Sequence, residues 1–537
     1  MRTVYLVLAL LDLALVGPAL TGGAMLAAQA VERTDVPARG ILRVTFDPRI
    51  MTWNDEFTDA GRRRLGFGLT GDTVGSRYIP ALAALEQNVR TVTGDLVPVI
   101  RPQVMGPGDV QPLLPRFVAS LGAGLLSVRQ ERRTYPITAE LGVTNRLSVS
   151  LTVPIVRVAT RSSLNLSTTR ANLGLNPRLT VSGADAAYLV FFTQFDTTLA
   201  RFEQNINAGL YGSCAPSCPA RDSLAFWRSV RDALHGTVYG VASVGSPFMP
   251  LDSSPAGRGI DSAVARIRRD MSTFGVAGFD TTFLLPTDTL TGALVQAAIV
   301  DPVTGFGYNR IPFRTGFRYG LGDVEVAAKY RLLAGAHYAA AVKALVRLPT
   351  GARDSADDLL GQPIGDHQTD LEGQLTQELI AGPLWLNLAV RAGLQRPGVR
   401  VRRVAPPEAF LVPAAATASL RWDPGDYVGV DVAPLVRFAS EFAAGVTAGY
   451  FTKQPDHYAF QSPQDSVALA TRLGAPASAS VLDQGTGQRQ LRLGFAMTYH
   501  GATVEGGFSI EQTVSGRGVV PAATVYRLVL RTSRKLF

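Results

Sequence analysis

From Gly320 to the C-terminus, polarity alternates with a period of two in segment after segment. In 324–333, Val324, Val326, Ala328, Tyr330 and Leu332 fall on one side, and Glu325, Ala327, Lys329 and Arg331 on the other. In 341–349, Val342, Ala344, Val346 and Leu348 oppose Lys343 and Arg347. In 369–381, Leu371, Gly373, Leu375 and Leu379 oppose Asp370, Glu372, Gln374, Thr376 and Glu378. Leu384, Leu386, Leu388, Val390, Ala392 and Leu394 oppose Trp385, Asn387, Arg391 and Gln395. Further on, Leu491, Leu493, Phe495, Met497 and Tyr499 oppose Arg492 and Thr498, and Val504, Gly506, Phe508 and Ile510 oppose Glu505, Ser509 and Glu511. Side chains that repeat every two residues belong to strands.

A soluble sandwich alternates as well. Three details favour a membrane barrel. One face is nearly all apolar while the other carries charges of both signs, as lipid outside and water inside require. Aromatic residues sit near strand ends, at Tyr319, Tyr330, Trp422, Tyr427, Tyr450, Tyr499 and Tyr526, where interfacial girdles belong. The segment 526–536 ends at Phe537, and a terminal aromatic on the last strand suits recognition by the barrel-assembly machinery. Phe537 shares a face with Lys535, Arg531 and Arg527, so that signal is imperfect.

Composition agrees. Of 537 residues only 18% are charged, against roughly 25% in soluble domains. The 53 glycines and 33 prolines are abundant, and two cysteines rule out a disulfide scaffold. Mean hydropathy is +0.14, too apolar for a disordered chain. Beyond the N-terminus no run of about 20 apolar residues exists, which excludes a bundle of spanning helices. The fold expected is all-β, an antiparallel transmembrane β-barrel of about 14 strands (range roughly 12 to 16) with a helical insertion.

Residues 1–30 read as a secretory signal, with Arg2, apolar runs and the small-x-small site Ala28-Gln29-Ala30. Barrel strands, one helix and a Pro-rich loop are expected in 31–158, including a hairpin of 135–141 and 146–158 about Thr144-Asn145. Weaker strand candidates are 41–46, 65–70 and 116–129. The helix carries Ile79, Leu82, Leu85 and Val89, and 98–115 is the Pro-rich loop. In 159–308 the rhythm becomes helical: Phe191, Phe195, Leu199, Phe202 and Ile206, then Leu224, Trp227, Val230 and Leu234, then Val264, Ile267 and Met271. This insertion is expected as an external loop or plug, with Cys214 and Cys218 disulfide-bonded in an oxidising compartment. The remaining strands fill 309–537. Counting strands back from the C-terminus puts the 350–368 connection on the periplasmic side, whereas counting forward from the hairpin puts it outside. One strand between 396 and 490 is therefore missed or invented.

Gly142-Val-Thr-Asn-Arg-Leu-Ser-Val-Ser-Leu-Thr-Val-Pro154, Gly320-Leu-Gly-Asp323-Val-Glu-Val-Ala-Ala-Lys-Tyr-Arg331 and Leu348-Pro-Thr-Gly351 resemble three elements of one barrel family. It is the outer-membrane "MetA-pathway of phenol degradation" type, loosely related to long-chain fatty-acid transporters. The resemblance covers about 135–158 and 308–452. It implies a barrel that passes small hydrophobic or aromatic solutes across the outer membrane of a Gram-negative-type bacterium, and it supplies no catalytic residues. The large insertion departs from the pattern.

No catalytic, cofactor or metal site is expected. The five histidines are His235, His337, His367, His457 and His500. Asp366-His367 and Asp456-His457 are adjacent in loops, and neighbours in extended chain point apart, so an outer-membrane hydrolase is the minor alternative. Neither a P-loop nor paired-cysteine zinc spacing occurs. The net charge of +9 lies on no basic helix, so nucleic acid is not an expected partner. Arg62, Arg63, Arg64, Arg129, Arg132 and Arg133 are candidates for barrel rims, against outer-membrane lipid phosphates. Lumen-lining candidates are Glu325, Lys329, Arg331, Lys343, Arg347, Glu372, Glu378, Arg391, Arg492, Glu505 and Glu511. They would either select solutes by charge or pair to fill a narrow interior. The alternative function is a structural or adhesion barrel whose helical insertion binds a partner.

Overall fold

A computed structural model describes residues 32–65, 73–94, 117–214, 218–240, 244–309, 316–439, 441–501 and 504–537. The expected signal segment 1–30, the Pro-rich loop 98–115 and most of the 65–70 candidate lie outside these residues.

The long sheet closes on itself. Its members are β1 (Ile41–Phe46), β2 (Arg49–Trp53), β3 (Ala123–Gly142), β4 (Leu147–Ser167), β5 (Glu325–Ala334), β6 (Tyr338–Arg347), β7 (Asp370–Ala381), β8 (Leu384–Gln395), β9 (Tyr427–Arg437), β10 (Phe442–Lys453), β11 (Gln488–His500), β12 (Val504–Arg517) and β13 (Thr524–Lys535). β1 and β2 are two halves of one strand broken at Asp47-Pro48, since each pairs with both β3 and β13. Counted so, the barrel has 12 antiparallel strands, below the expected 14. The candidates 116–129 and 135–141 yield one strand between them, β3. Gly398–Arg403, Thr417–Asp423 and His457–Phe460 alternate like barrel strands but form a separate three-stranded sheet inside two long connections. The segment Gly316–Leu321 adds to the extension of β4 without entering the closed ring.

The short connections that follow β3, β5, β7, β9 and β11 start from the end of the barrel where β1 begins and β13 finishes. Every long connection, 348–369 among them, leaves from the opposite end. The hairpin turn and the 350–368 connection therefore lie at opposite ends, as the forward count has them, and three extended segments within 396–490 stay out of the ring. The hairpin is longer than expected. β3 and β4 pair from Ala123↔Ser167 to Gly142↔Ser148, so 159–167 is strand and the insertion starts later. Pro136 and Pro154 lie opposite each other within it.

Along the wall the odd positions of β3, β4 and β11 and the even positions of β5 and β6 face out. Val149, Leu151, Ile155, Val326, Tyr330, Val342, Leu493, Phe495, Leu528 and Leu530 are all exposed, a continuous apolar belt. Tyr319, Tyr330, Tyr499 and Tyr526 join its outer surface. Trp422 and Tyr427 do not: Trp422 is buried against Tyr458 in the extra sheet, and Tyr427 stacks on Phe451, both aromatics being buried.

The insertion folds as expected into helices, α2 (Ala184–Asn207), α3 (Pro219–Tyr239), α4 (Pro255–Thr273) and α5 (Gly292–Val300), joined by α1 (Ala81–Thr93) from the preceding connection. Their apolar stripes share one core with Phe191, Phe195, Phe202 and Trp227 at its centre. That core includes Leu126 and Val128, with Leu164 and Leu166 packed against it. These residues face inward on the part of β3–β4 that rises above the ring. The helices thus form a cap over the long-connection mouth. Cys214 and Cys218 are disulfide-bonded between α2 and α3. No helix among the described residues is long and apolar enough to cross a membrane.

Candidate functional site: the barrel interior

The alternation that turns leucines outward turns a dense set of charges inward. A cavity of about 260 Å³ remains among them. Its walls carry Arg43, Asp47, Arg49, Glu140, Glu325, Lys329, Lys343, Arg347, Glu372, Arg391, Arg527 and Arg531. Toward the cap the lining turns less polar, with Met51, Pro154, Val156, Ile364 and Val525.

Two segments outside the wall stop this cavity. At the short-turn end, 32–36 runs into the lumen. Glu32, Arg33 and Asp35 are its floor. The Thr34 amide donates to Glu378 Oε1 at 2.9 Å, Asn387 donates to the Glu32 carbonyl, and Lys329 to that of Arg33. Arg33 also pairs with Glu505 at 3.1 Å, and Arg43 with Asp35 at 2.5 Å. At the other end the 348–369 connection folds inward and places Ile364 on the cavity. Arg132 secures it, donating to the carbonyls of Pro363 at 2.6 Å and Ile364 at 2.8 Å. Asp323 holds the same loop by accepting from the amides of Gly351 at 2.8 Å and Asp366 at 2.9 Å. Burial, with Asp370 and Asp323 beside it, pushes the Asp366 carboxyl up to about 8.

The other half of the interior is filled more tightly, with a pocket of about 20 Å³ beside Trp385. Asp431 accepts from Arg391 at 3.1 Å and from Arg492 at 2.7 Å, and Arg492 also reaches Glu511 at 3.3 Å. Inward glycines make room for this cluster. A Cβ on Gly449 would lie 2.5 Å from Arg492 Nη2 and 2.7 Å from Asp431 Oδ1, and one on Gly393 would lie 2.1 Å from the Tyr427 ring. Tyr427 donates to Glu372 at 2.5 Å. Trp385, 1% exposed, plugs the short-turn end of this half.

Of the lumen candidates, Glu325, Lys329, Lys343, Arg347, Glu372 and Arg391 border the cavity. Glu378 and Glu505 bind the inserted N-terminal segment, and Arg492 and Glu511 sit in the packed half. Arg331 sits apart, at the 143–146 turn, donating to the Asn145 carbonyl. Sequence reasoning missed Asp47, which bridges Arg49 and Arg527, and Asp431. Val428, Val430 and Val432, flanking Asp431 on the opposite face of β9, were the available signal for it. It also missed the inserted segment, which no local pattern announces. Arg132, expected at a rim, points inward instead, because even positions of β3 face the lumen. Arg62 and Arg63 pair with Asp55 and Glu56.

Neither adjacent Asp–His pair converges. His367 Nδ1 meets the Gly351 carbonyl. Asp456 accepts from Trp422, while exposed His457 lies 3.4 Å from Asp483. Among the described residues no group of three His, Cys, Asp or Glu is placed to hold a metal ion.

No family model matches the chain, and no curated protein does. Among solved structures it is similar to an outer membrane channel from Pseudomonas putida F1, with 7% identity, a TM-score of 0.40, and coverage of 93% of this chain and 98% of that one. It is also similar to the Pseudomonas putida toluene transporter TodX, with 10% identity, a TM-score of 0.27, and coverage of 97% and 95%.

Proposed function

We propose that the protein is a gated channel of an outer membrane, with the short turns in the periplasm and the cap outside. The solutes proposed are small hydrophobic or aromatic molecules, as the family resemblance implies. One observation carries the channel reading: the cavity lies inside a closed ring between two stoppers that are not part of the wall. A barrel filled only for stability would pack its interior throughout, whereas this one leaves about 20 Å³ beside Trp385 and about 260 Å³ in the cavity. Here 32–36 and 363–366 are held by hydrogen bonds and ion pairs, which exchange for water more readily than an apolar core does. The upper lining of Met51, Pro154, Val156, Ile364 and Val525 offers an apolar contact for a ring or short chain, above a charged floor.

Liposome swelling tests this. The full chain should pass small aromatic solutes slowly, and a variant lacking 32–38 should pass them several-fold faster. No flux through either protein would end the channel reading. The self-contained core of the cap favours a second reading, a barrel that displays a binding module. Deleting 185–300 separates the two: a channel keeps or raises its flux, whereas a display barrel loses its partner and has no flux to change.

A further inference from the structure

The outer surface of the long hairpin changes character within one strand step. Ile137 and Ile155 are exposed apolar residues of the belt. Two positions farther from the ring, on the same face, stands Arg157, with Arg133 directly across from it. Beyond these, Arg129 is directly across from Arg161. Like charges placed opposite each other in a sheet are destabilising, and this face holds two such pairs in succession. Glu131 is the carboxylate among them, 2.7 Å from Arg133 and 2.7 Å from Arg157. Arg129 and Arg161 are exposed, and among the described residues neither has a carboxylate within ion-pair distance. Four guanidiniums against one carboxylate leave three positive charges. Beside them Phe317 and Tyr319, 61% and 62% exposed, flank Arg157 at 5.6 and 5.7 Å.

We propose that this face binds the phosphate groups of a phosphorylated glycolipid in the outer leaflet. The guanidinium fork matches phosphate oxygens in pairs. The aromatics sit at headgroup depth, and the acyl chains would lie along Ile137, Ile155 and Leu321. The cross-strand repulsion is then relieved by the ligand rather than by the protein. The site reads phosphate charge, so a zwitterionic lipid satisfies it poorly. It rests on the cap end facing outward, and not on conduction.

The test is lipid retention by the purified full chain in detergent, read by native mass spectrometry, with diphosphoryl lipid A, its dephosphorylated form and inorganic pyrophosphate as probes. Diphosphoryl lipid A should be retained and the dephosphorylated form should not. Arg129→Gln with Arg161→Gln should weaken retention about thirtyfold, while heat-modifiable migration of the barrel stays intact. Arg157→Gln alone should weaken it several-fold and serves if the double variant does not fold. Equal retention by wild type and variants, or of both lipid forms, overturns the proposal. So does complete competition by equimolar pyrophosphate, which would mark a site for a soluble anion. Loss of conduction with lipid retention intact would end the channel reading and leave this one standing.

Discussion

Asp431 shows what a single interior residue carries. It pairs with Arg391 and Arg492 at once, and Arg492 is almost fully buried. Removing one partner of a buried pair strands the other charge, at about 3–5 kcal/mol. Asp431→Ala should therefore lower the urea midpoint of the barrel markedly, and Arg391→Met in the same chain should recover part of the loss. An unchanged midpoint would mean that water hydrates this cluster. Asp366 gives a pH prediction. Its pKa rises from 3.8 to about 8 on folding, so between those values the folded state holds a proton that the unfolded state has released. Its contribution to holding the 348–369 loop is complete in acid and is lost as the pH climbs toward 8. Hydrogen exchange in 351–366, corrected for its intrinsic pH dependence, should quicken through that window, and Asp366→Asn should flatten the change. At this scale much was legible. Alternation alone turned Lys343, Arg347, Glu372, Arg391 and Arg492 inward. It could not show who pairs with whom, because the partners of Arg492 lie on β9 and β12, and register across strands is not written in either strand.

The elements divide by how local their cause is. β7 and β8 were readable to within a residue, because a turn at Gly382 and two alternations, broken only by Gln377 on the apolar side, specify them. The cap helices were readable from spacing. The extension of β3–β4 above the belt was not, because beyond Ile155 the outward face becomes Arg157 and Arg161, so the apolar signal stops where the strand does not. The Cys214–Cys218 bond closes a loop with a sequence separation of only 4, for which chain entropy predicts about 2 kcal/mol. Cys214→Ser with Cys218→Ser should thus lower the unfolding temperature of the cap, seen in the near-UV signal of Trp227, and leave the barrel transition in place. A shift of both transitions together would show that cap and ring unfold as one unit.

At the scale of the whole molecule, the low charge and abundant glycine have separate causes. Lipid-facing positions carry no charge, and inward glycines such as Gly449 admit the ionic cluster. Fold class was legible because closure demands the same alternation from every strand. Strand number was not, because β3 runs unbroken through what reads as two strands. The N-terminal insertion was invisible for a different reason: its contacts to Glu378, Asn387 and Glu505 span more than 340 residues in sequence. That insertion is also the central claim, since a channel needs it to move. Planar-bilayer conductance of a Thr34→Cys, Glu378→Cys variant joined by a short bis-maleimide with a reducible spacer tests this, because the Thr34 amide meets the Glu378 carboxylate at 2.9 Å. The channel should stay silent while the tether is intact and show discrete openings after its reduction. Identical traces in both states, open or closed, would contradict the claim.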